Sequence, residues 1–540
     1  MTTTRRSFLQ AMAAGSSALG AGWLQGGPLR AAEKSALDTA RRQAAHRQRR
    51  MIYNNDGDDI WAAGVDSKEK FWDIRHVPLL GTQIDSIYYC TTQSFNLFTH
   101  STRVAEIFVN SNGQFKHNNL PLFLAQQTDG LRMSCEFAHA HGLESIWTLR
   151  MNDIHDSFEP LLTSQWKKEK PSRVMAQLAE VEHIKDRRRL WSLVDFENPE
   201  VQPRILAIIE EVLQNYPVDG VELDFMRAPF YFRSTYEGRA AEDHQVQLLS
   251  QLVEKIRQLV LTESERQGKP FLLAARVPST IQHCNYIGID IGHWLKAGWL
   301  DVLAISGGYV PFDQQIAELI ALGHQHDVPV YPAISQSGLN RRPPRSEKEV
   351  PHPIAHWRGA AAQAWGAGAD GIYAFNVFIG PGPNHAREFT TTLGKSIGSI
   401  ETLEKFDRCF ACSDANLWMG TAFWAKDVES YSTTLPLKLQ PSVPGTIPIQ
   451  VAGPVTGPGE TPTTELRLEM ERLPESDAPS ATLNGQPLGA PVRREPEADI
   501  HRLVWTIPTS SRQSGSNTVQ LTVASDQVRV VAAEIWFTAK

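Results

Sequence analysis

The sequence predicts an α/β fold, a (β/α)8 TIM barrel followed by a C-terminal all-β sandwich. Eight short apolar runs alternate with helical patterns between residue 51 and about residue 400, which is typical of a parallel α/β fold. The length suits a barrel, which takes about 250 residues and more with insertions. A doubly wound open sheet is the alternative, but no glycine-rich dinucleotide-binding turn follows an early strand.

The boundary between the two parts lies where the sequence pattern changes. Beyond residue 403, helical periodicity gives way to short alternating runs punctuated by Pro and Gly, which predicts the sandwich. The predicted barrel strands lie at residues 51–54, 84–90, 143–150, 218–225, 271–276, 301–306, 328–334 and 371–376. The predicted sandwich strands lie at residues 435–439, 446–451, 465–470, 503–507, 518–523 and 528–537.

Helical patterns precede or separate most of the barrel strands. They lie at residues 36–50, 199–215, 245–262, 291–298, 315–324 and 357–368. In the second of these patterns, Asn198 is the predicted N-cap and Pro199 the first helical residue, a preferred pairing at helix starts. Helix, tight turn and strand in this order form one unit of a parallel α/β fold.

The fourth predicted strand, within the run VDGVELDFMR at residues 218–227, carries the strongest functional signal. Side chains alternate across a strand, so Val221 and Leu223 share one face while Glu222 and Asp224 share the other. The apolar face would pack on helices, and the acidic face would point into the barrel, where acids are poor core residues. Barrel enzymes place functional groups at the C-terminal ends of strands, where Asp224 lies.

Two carboxylates flanking a glycosidic bond suit glycoside hydrolysis, and three acids are the catalytic candidates. Asp224 is the first, Asp153 from the loop after the third strand is its partner, and Glu222 lies about 7 Å deeper by strand rise. Each acid has a structural alternative, which is an ion pair with arginine for Asp224 and Glu222 and a loop cap for Asp153. The predicted substrate-binding residues are Asp56, Arg150, Asn152, His155, Arg227, Arg276, Tyr309 and Asn376.

Three of these residues suggest the charge of the substrate. Arg150, Arg227 and Arg276 lie at or just beyond the ends of three different predicted strands. Arginine suits bidentate capture of carboxylate or sulfate, so an inward-facing group of arginines predicts a uronate-containing or sulfated glycan. The alternative is that each arginine neutralises a nearby acid, which would leave none for a ligand.

Charge and the N-terminus limit the class of protein and its location. The 540 residues carry a formal net charge of -7, which excludes a basic nucleic-acid-binding footprint. The segment TRRSFLQ at residues 4–10, followed by a weakly hydrophobic run of small residues, fits a twin-arginine export signal. We therefore predict a signal peptide at residues 1–32, a barrel at 33–402, a sandwich at 403–540, and a periplasmic or extracellular protein without membrane attachment after signal removal.

No metal and no cofactor is predicted. Cys409 and Cys412 form a lone C-x-x-C, for which a local disulfide or two inert thiols is favoured over zinc. Residues 54–59 have calcium-like acid spacing but lack the closing Glu, which favours a turn. Ser306 and Cys284 lack a strained nucleophile elbow.

The residues also carry a family resemblance. The run FENPEVQPRILAIIEEVLQNYPVDGVELDFMRAP at residues 196–229 resembles the central stretch of glycosyl-hydrolase-like barrel proteins often called family-10-like. The runs RRMIYNNDGDD, SIWTLRMNDIHD and GADGIYAFN look like the same group, so the resemblance covers about two thirds of the chain. It implies a TIM barrel acting on carbohydrate. The matching positions are Asp56, Arg150, Asn152, Asp153, His155, Glu222, Asp224, Arg227 and Asn376.

A second similarity concerns one residue of the fourth strand. The stretch is similar to the D-G-x-D-x-D-x-E signature of chitinase-like barrels, but Met226 stands where the catalytic Glu should be. This argues against substrate-assisted chitinase chemistry.

The sequence therefore favours an exported glycoside hydrolase with carbohydrate as its partner. The alternatives are a carbohydrate-binding barrel without catalysis and a metal-dependent hydrolase using Asp56, Asp153 and His155. The sequence leaves the oligomeric state open.

Overall fold

Eight parallel strands close into a barrel in sequential order, which confirms the predicted fold class. The computed structural model describes residues 26–183, 190–307, 312, 315–335, 354–377, 392–412, 434–453, 463–497 and 499–539. The barrel strands are β1 Met51–Asn55, β2 Ile84–Cys90, β3 Glu144–Arg150, β4 Gly220–Asp224, β5 Leu272–Pro278, β6 Val302–Ser306, β7 Val330–Ser335 and β8 Ile372–Phe375. Each predicted barrel strand overlaps its observed counterpart.

Helices precede the first barrel strand, connect the strands and follow the last one. They are α1 Gly26–Ala45, α2 Lys68–Arg75, α3 Leu120–Ala125, α4 Gly130–Ala140, α5 Gln165–Glu169, α6 Leu178–Val181, α7 Val201–Asn215, α8 Arg233–Tyr236, α9 Asp243–Gln267, α10 Ile281–Tyr286, α11 Ile291–Lys296, α12 Ala317–Gln325, α13 Ile354–Gly366 and α14 Ile400–Leu403. Within the described ranges, no helix combines the length and apolar character needed to cross a membrane.

One predicted helix start is wrong by two residues. Helix α7 begins at Val201 rather than at Pro199. The side chain of Asn198 caps a turn instead, because its Oδ1 accepts a hydrogen bond of 3.0 Å from the backbone N–H of Glu200. Asn198 therefore lies in the turn before the helix, and Glu200 is the N-cap.

The two faces of the barrel strands separate as the alternation predicts. Val221 and Leu223 of β4 belong to the large apolar core outside the barrel, with the inner faces of α7 and α9. The interior is a separate cluster. Its buried apolar members on the strands are Ile52, Tyr88, Ile146, Leu272, Ala274, Val302, Ala304, Tyr331, Ala333, Tyr373 and Phe375. Three alanines among them leave room for the tyrosines and for polar side chains.

A buried ion pair closes the N-terminal end of the barrel. Arg49 donates from Nε and Nη2 to the two carboxylate oxygens of Glu144, each at 2.7 Å. Its Nη1 also donates to the carbonyl of Ala45 at 2.7 Å, which ties the end of α1 to the barrel floor. The predicted signal cleavage near residue 32 lies within α1.

The chain beyond the barrel forms antiparallel sheets, as the change in sequence texture predicts. The strands are β9 Arg408–Ala411, β10 Leu437–Lys438, β11 Gly445–Val451, β12 Thr463–Glu471, β13 Ser480–Leu483, β14 Gln486–Pro487, β15 Arg493–Glu497, β16 Ile500–Thr506, β17 Gly515–Thr522 and β18 Arg529–Thr538. One sheet has the order β9-β18-β12-β16-β15 with β10 beside β18, and the other has the order β11-β17-β13-β14. All six predicted sandwich strands are found.

The barrel and the first of these sheets meet closely. Helix α13 packs against β9, and a Cβ added at Gly359 would lie 1.7 Å from the carbonyl oxygen of Cys409. The apolar core is continuous across this contact, from Trp357 of the helix to Phe410 and Ile535 of the sheet. The contact therefore depends on a glycine that lets helix and strand backbones approach.

Candidate active site at the barrel mouth

Three charged residues stand side by side at the C-terminal ends of β3, β4 and β5. In the strand register, Arg150 is paired with Asp224, and Asp224 is paired with Arg276. Arg150 lies on the same strand face as Ile146, and Arg276 lies on the same face as Leu272 and Ala274, all members of the interior cluster. The predicted convergence of two arginines and an acid over the barrel mouth therefore holds.

Asp224 is held by Arg276 in a two-pronged ion pair. Arg276 donates from Nε to Oδ1 at 3.0 Å and from Nη2 to Oδ2 at 2.7 Å. The backbone N–H of Met226 adds a hydrogen bond of 2.9 Å to Oδ1. The guanidinium also lies 4.0 Å from the ring centroid of Phe375. Oδ2 thus accepts one hydrogen bond from the described residues, and a carboxylate oxygen can accept two.

Glu222 lies one layer deeper and is fully buried. Its Oε2 accepts hydrogen bonds from the hydroxyls of Thr148 at 2.8 Å and Tyr373 at 2.9 Å. Burial, together with the negative charge of Asp224, raises the pKa of Glu222 to about 8. The predicted pairing of Glu222 with an arginine is wrong, because Arg276 directs its hydrogen bonds to Asp224 and hydroxyl groups hold Glu222.

Asp153 organises the loop after β3. Its Oδ1 accepts hydrogen bonds from the backbone N–H and from Nδ1 of His155, both at 2.8 Å. Its Oδ2 lies 3.5 Å from Arg150 Nη1 and 3.8 Å from Arg227 Nε. Burial favours the neutral acid, but His155 and the two arginines outweigh it and hold the pKa of Asp153 below its ordinary value. Asp153 is fully buried and surrounded by donors.

The tautomer of His155 follows from its neighbours. Arg227 Nη2 lies 2.6 Å from His155 Nε2, and a guanidinium can only donate. Nε2 is therefore the acceptor, and the proton sits on Nδ1, from which it is donated to Asp153. The chain Arg227, His155, Asp153 fixes both the ring and the carboxylate.

Asp56 is the most exposed of the site's acids. Its Oδ1 accepts a hydrogen bond of 2.7 Å from Arg150 Nη2. The side chain is 13% exposed, compared with 3% for Asp224 and none for Asp153. Burial opposes ionisation here too, but the charges of Arg150 and Arg227 prevail and lower the pKa of Asp56.

The remaining predicted site residues divide into three cases. Asn152 is fully buried, and its amide joins backbones by donating to Val194 and Phe230 and accepting from Val194, at 2.8–3.0 Å. This gives Asn152 an anchoring role in the loops. Asn376 is buried just after β8 with φ 53°, a left-handed conformation that asparagine tolerates. Tyr309 lies outside the described residues.

Sequence reasoning missed three residues that hold the acids and arginines of the mouth, namely Thr92, Thr148 and Tyr373. Thr148 and Tyr373 hold Glu222, and Thr92 accepts a hydrogen bond of 3.2 Å from Arg150 through its carbonyl. Alternation places Thr148 on the same strand face as Arg150, so it was available as a signal. Nothing in the sequence alone marks Thr92, which lies in a short three-stranded sheet, Thr92–Ser94, Leu97–Phe98 and Glu106–Ile107, between β2 and β3.

Residues 56–57 form the turn between β1, which ends at Asn55, and a short 3-10 helix at Asp58–Trp61. Asn55 Oδ1 accepts a hydrogen bond of 3.0 Å from the backbone N–H of Gly57, whose φ is 73°. Asn55 Nδ2 donates to Asp59 at 3.0 Å. Of the three residues of the metal-hydrolase alternative, Asp153 binds His155 and Asp56 binds Arg150. The second ring nitrogen of His155 contacts Arg227.

Comparisons with known proteins give distant structural similarity. No family model matches the chain, and no curated protein matches it. A cycloisomaltooligosaccharide glucanotransferase from Paenibacillus sp. is 9% identical with a TM-score of 0.35, and the match covers 92% of this chain and 58% of that one. A putative alpha-L-fucosidase from Bacteroides thetaiotaomicron is 11% identical with a TM-score of 0.37, covering 94% and 97%. An Anoxybacillus alpha-amylase is 10% identical with a TM-score of 0.36, covering 88% and 98%.

Proposed function

We propose that the protein is a glycoside hydrolase in which Asp224 attacks the anomeric carbon or activates water. The observation that carries the proposal is the Asp224–Arg276 ion pair at the C-terminal end of a barrel strand. Arg276 fixes the carboxylate, and Oδ2 keeps acceptor capacity for a substrate or water. A positioned carboxylate of this kind is one half of glycosidase chemistry.

Asp56 is the second carboxylate of the proposal. Its Oδ2 has no hydrogen-bond partner among the described residues, while Arg150 holds Oδ1. Its lowered pKa suits a base or a group that stabilises positive charge, and it does not suit a proton donor. Asp153 and Glu222, which the sequence also marks as catalytic, become positioning residues because both are fully buried. Donors from His155 hold Asp153, and the hydroxyls of Thr148 and Tyr373 hold Oε2 of Glu222.

The general acid is a separate question. Glu222 has the raised pKa of an acid, but it is sealed beneath Asp224 and cannot reach a glycosidic oxygen. The described part of the mouth offers no exposed carboxyl with a raised pKa. The test of Asp224 must therefore be independent of leaving-group protonation.

Aryl glycosides with a strongly acidic phenol as leaving group meet this requirement. The mature protein is first screened against algal, plant and bacterial polysaccharides, and the released sugar sets the choice of aryl glycoside. Asp224→Ala should lose turnover, and added azide should restore it with a glycosyl azide as product if Asp224 is a nucleophile. Asp85→Asn, at the opposite end of the barrel, is the control and should keep turnover. Unchanged turnover in Asp224→Ala would overturn the assignment.

A carbohydrate-binding barrel without catalysis is the second candidate. It is favoured by the pairing of Asp56, Asp153 and Asp224 with arginine or histidine. Met226, at the position of a catalytic Glu in the chitinase-like pattern, supports it further. If calorimetry shows that the protein binds a glycan, and the screen shows no cleavage of any glycan, the binding function is favoured over hydrolysis.

The charges at the barrel mouth bear on whether the substrate is a neutral or an anionic glycan. Arg150, Arg227 and Arg276 stand among Asp56, Asp153 and Asp224, so the described charges of the mouth balance. This balance supports a neutral glycan over the uronate or sulfated glycan expected from the arginines alone. Affinity for a neutral glycan should change little with salt, whereas capture of an anion would weaken as salt is added. Replacing Arg227 with Met, at 13% side-chain exposure, should then affect charged and neutral glycans equally.

We further propose export through the twin-arginine route and membership of the family-10-like barrels. The segment TRRSFLQ at residues 4–10 supports export, and the run at residues 196–229 supports the family resemblance. A fusion of residues 1–40 to a reporter tests export. Arg5→Lys combined with Arg6→Lys should hold the reporter in the cytoplasm, and export without both arginines would contradict the proposal.

A further inference from the structure

Three potential metal ligands meet at the junction of the barrel and the first C-terminal sheet. His356 comes from α13, Cys409 from β9 and Glu534 from β18. One ligand atom of each lies within 4.8 Å of the others. Cys409 is fully buried, and the side chains of His356 and Glu534 are 14% and 11% exposed. The cluster is therefore enclosed but close enough to the surface for an ion to enter.

The fold brings these residues together by register. Cys409 is paired with Trp536 in the antiparallel contact of β9 and β18, and residues paired in this way share a sheet face. Glu534, two residues before Trp536, shares that face as well. Helix α13 lies against β9 at Gly359, one turn after His356. The close backbone approach at Gly359 thus sets the imidazole beside the thiol and the carboxylate.

The distances already resemble those of a coordination shell. His356 Nε2 lies 3.1 Å from Glu534 Oε1. Two ligands of a tetrahedral zinc ion, each at about 2.0–2.1 Å from the metal, are about 3.3 Å apart. Glu534 Oε2 accepts a hydrogen bond of 2.7 Å from Trp536 Nε1, which would orient the carboxylate as an outer-shell partner.

We propose that His356, Cys409 and Glu534 bind a zinc ion that links helix α13 of the barrel to the first C-terminal sheet. Sulfur, imidazole nitrogen and carboxylate oxygen are the ligands that zinc uses in proteins, and a thiol and an imidazole disfavour magnesium and calcium. Binding replaces the thiol proton of Cys409 and any proton on the ligating imidazole nitrogen, which are released to solvent. Water completes the tetrahedral site.

The nearby cysteine offers a matched control. Cys412 follows Cys409 in the C-x-x-C, but it is not part of the cluster. Both thiols are buried, and Cys409 is the one whose sulfur lies beside His356 and Glu534. A site built on the C-x-x-C would need both cysteines, whereas the proposed site needs only Cys409.

The experiment is a cobalt titration of the full chain after removal of metals with a chelator under reducing conditions. One equivalent of Co²⁺ should produce the near-ultraviolet absorption of a thiolate–cobalt bond, and Zn²⁺ should displace it. Cys412→Ser should keep this absorption, while Cys409→Ser should lose it. Absence of the absorption in the wild-type chain, or its loss in Cys412→Ser but not in Cys409→Ser, would overturn the proposal.

A second readout guards against misfolded variants. Zn²⁺ should raise the melting temperature of the metal-free wild type and of Cys412→Ser, because an ion that binds only the folded state stabilises it. His356→Asn keeps a side chain of similar polarity and should fold, but zinc should no longer raise its melting temperature. An equal rise in His356→Asn and the wild type would contradict the proposed ligand set.

Discussion

Arg276 and Asp224 form a two-pronged ion pair inside the barrel, with their side chains 1% and 3% exposed. The strand register makes them direct neighbours, and the ring of Phe375 covers the guanidinium. Removing one partner of a buried pair leaves the other charged and unpaired. The resulting loss in the free energy of unfolding exceeds the net stabilisation that the intact pair provides. The two residues are therefore coupled in stability as well as in the proposed chemistry.

Asp224→Asn is expected to lower the free energy of unfolding by about 3–5 kcal/mol, the usual cost of stranding a buried charge. Because the pair is buried, a loss of activity in this variant should be accompanied by a loss of stability. Denaturant unfolding of the variant and the wild type measures the difference. Arg276→Met in the same background should recover part of the loss, since the stranded charge is then absent.

The control for this prediction is the pair formed by Arg50 and Asp85, whose side chains are 36% and 20% exposed. Asp85→Asn should cost about 1 kcal/mol or less, because solvent screens a partly exposed pair. Equal losses in Asp224→Asn and Asp85→Asn would show that burial of the Asp224 pair carries no special cost.

The stability of the protein should depend on pH through Glu222. Its folded-state pKa of about 8 lies above the ordinary value of 4.5, so the folded state binds the proton more tightly than the unfolded state. The contribution is fully present below pH 4.5, falls as the pH rises toward 8, and is then lost. Glu222→Gln is neutral throughout, and its carbonyl can still accept from Thr148 and Tyr373.

Unfolding free energies of the wild type and Glu222→Gln should therefore diverge between pH 5 and pH 8. The wild type should lose stability relative to the variant, by an amount on the order of a few kcal/mol. Parallel curves for the two proteins over this range would mean that Glu222 titrates normally, contrary to its burial beside Asp224.

His155 should be found with its proton on Nδ1. Arg227 can only donate, so Nε2 of His155 must accept its hydrogen bond. The ring proton is then on Nδ1, from which it is donated to Asp153. Long-range ¹H–¹⁵N correlation spectra of histidine-labelled protein distinguish the two tautomers. Arg227→Leu removes the donor and should increase the Nε2–H form. An unchanged tautomer in Arg227→Leu would assign the preference to Asp153 alone.

Gly359→Ala should destabilise the junction between barrel and sheet. Its Cβ would lie 1.7 Å from the carbonyl oxygen of Cys409, which forces α13 and β9 apart. Overpacking of this kind costs about 1–3 kcal/mol, and backbone displacement can add to it. Thermal unfolding should show a lower midpoint and, where the contact is lost, a separate transition for the C-terminal sheets.

Gly292→Ala is the matched control for this helix glycine. Gly292 lies in α11, and the nearest atom to an added Cβ is Asp290 Oδ1 at 3.9 Å. Alanine should be neutral or stabilising there, because it restricts the unfolded chain without a clash. A loss of stability in Gly292→Ala as large as that in Gly359→Ala would remove the steric explanation.

The fold could be predicted because its elements follow local patterns. Strand β2 was placed at its observed bounds, since a short apolar run between turns suffices to mark a buried strand. Period-two alternation likewise placed Glu222 and Asp224 inside the barrel and Val221 outside it. Helix boundaries do not follow from the sequence as directly, as Asn198 shows, because a turn and an N-cap use the same side-chain hydrogen bond.

The pairing of charges could not be predicted from the chain. Arg150 and Arg276 flank Asp224 symmetrically in the register, yet Arg276 binds Asp224 while Arg150 binds Asp56, the residue just after β1. Which arginine takes which acid depends on side-chain reach across strands, and the sequence does not encode that as a local pattern. The same holds for His356, Cys409 and Glu534, which are far apart in the chain and meet only where β9 pairs with β18 and α13 packs on β9.

The closure of the barrel has a consequence for synthesis of the protein. Met51 of β1 is paired with Ile372 of β8, so the first strand gains its second neighbour only after about 320 further residues have been made. At about 5–20 residues per second, translation of that stretch takes roughly 15–60 s. Throughout this interval one edge of β1 has no strand beside it, and an open apolar edge invites pairing with other chains. The nascent protein should therefore depend on a chaperone until β8 has emerged from the ribosome.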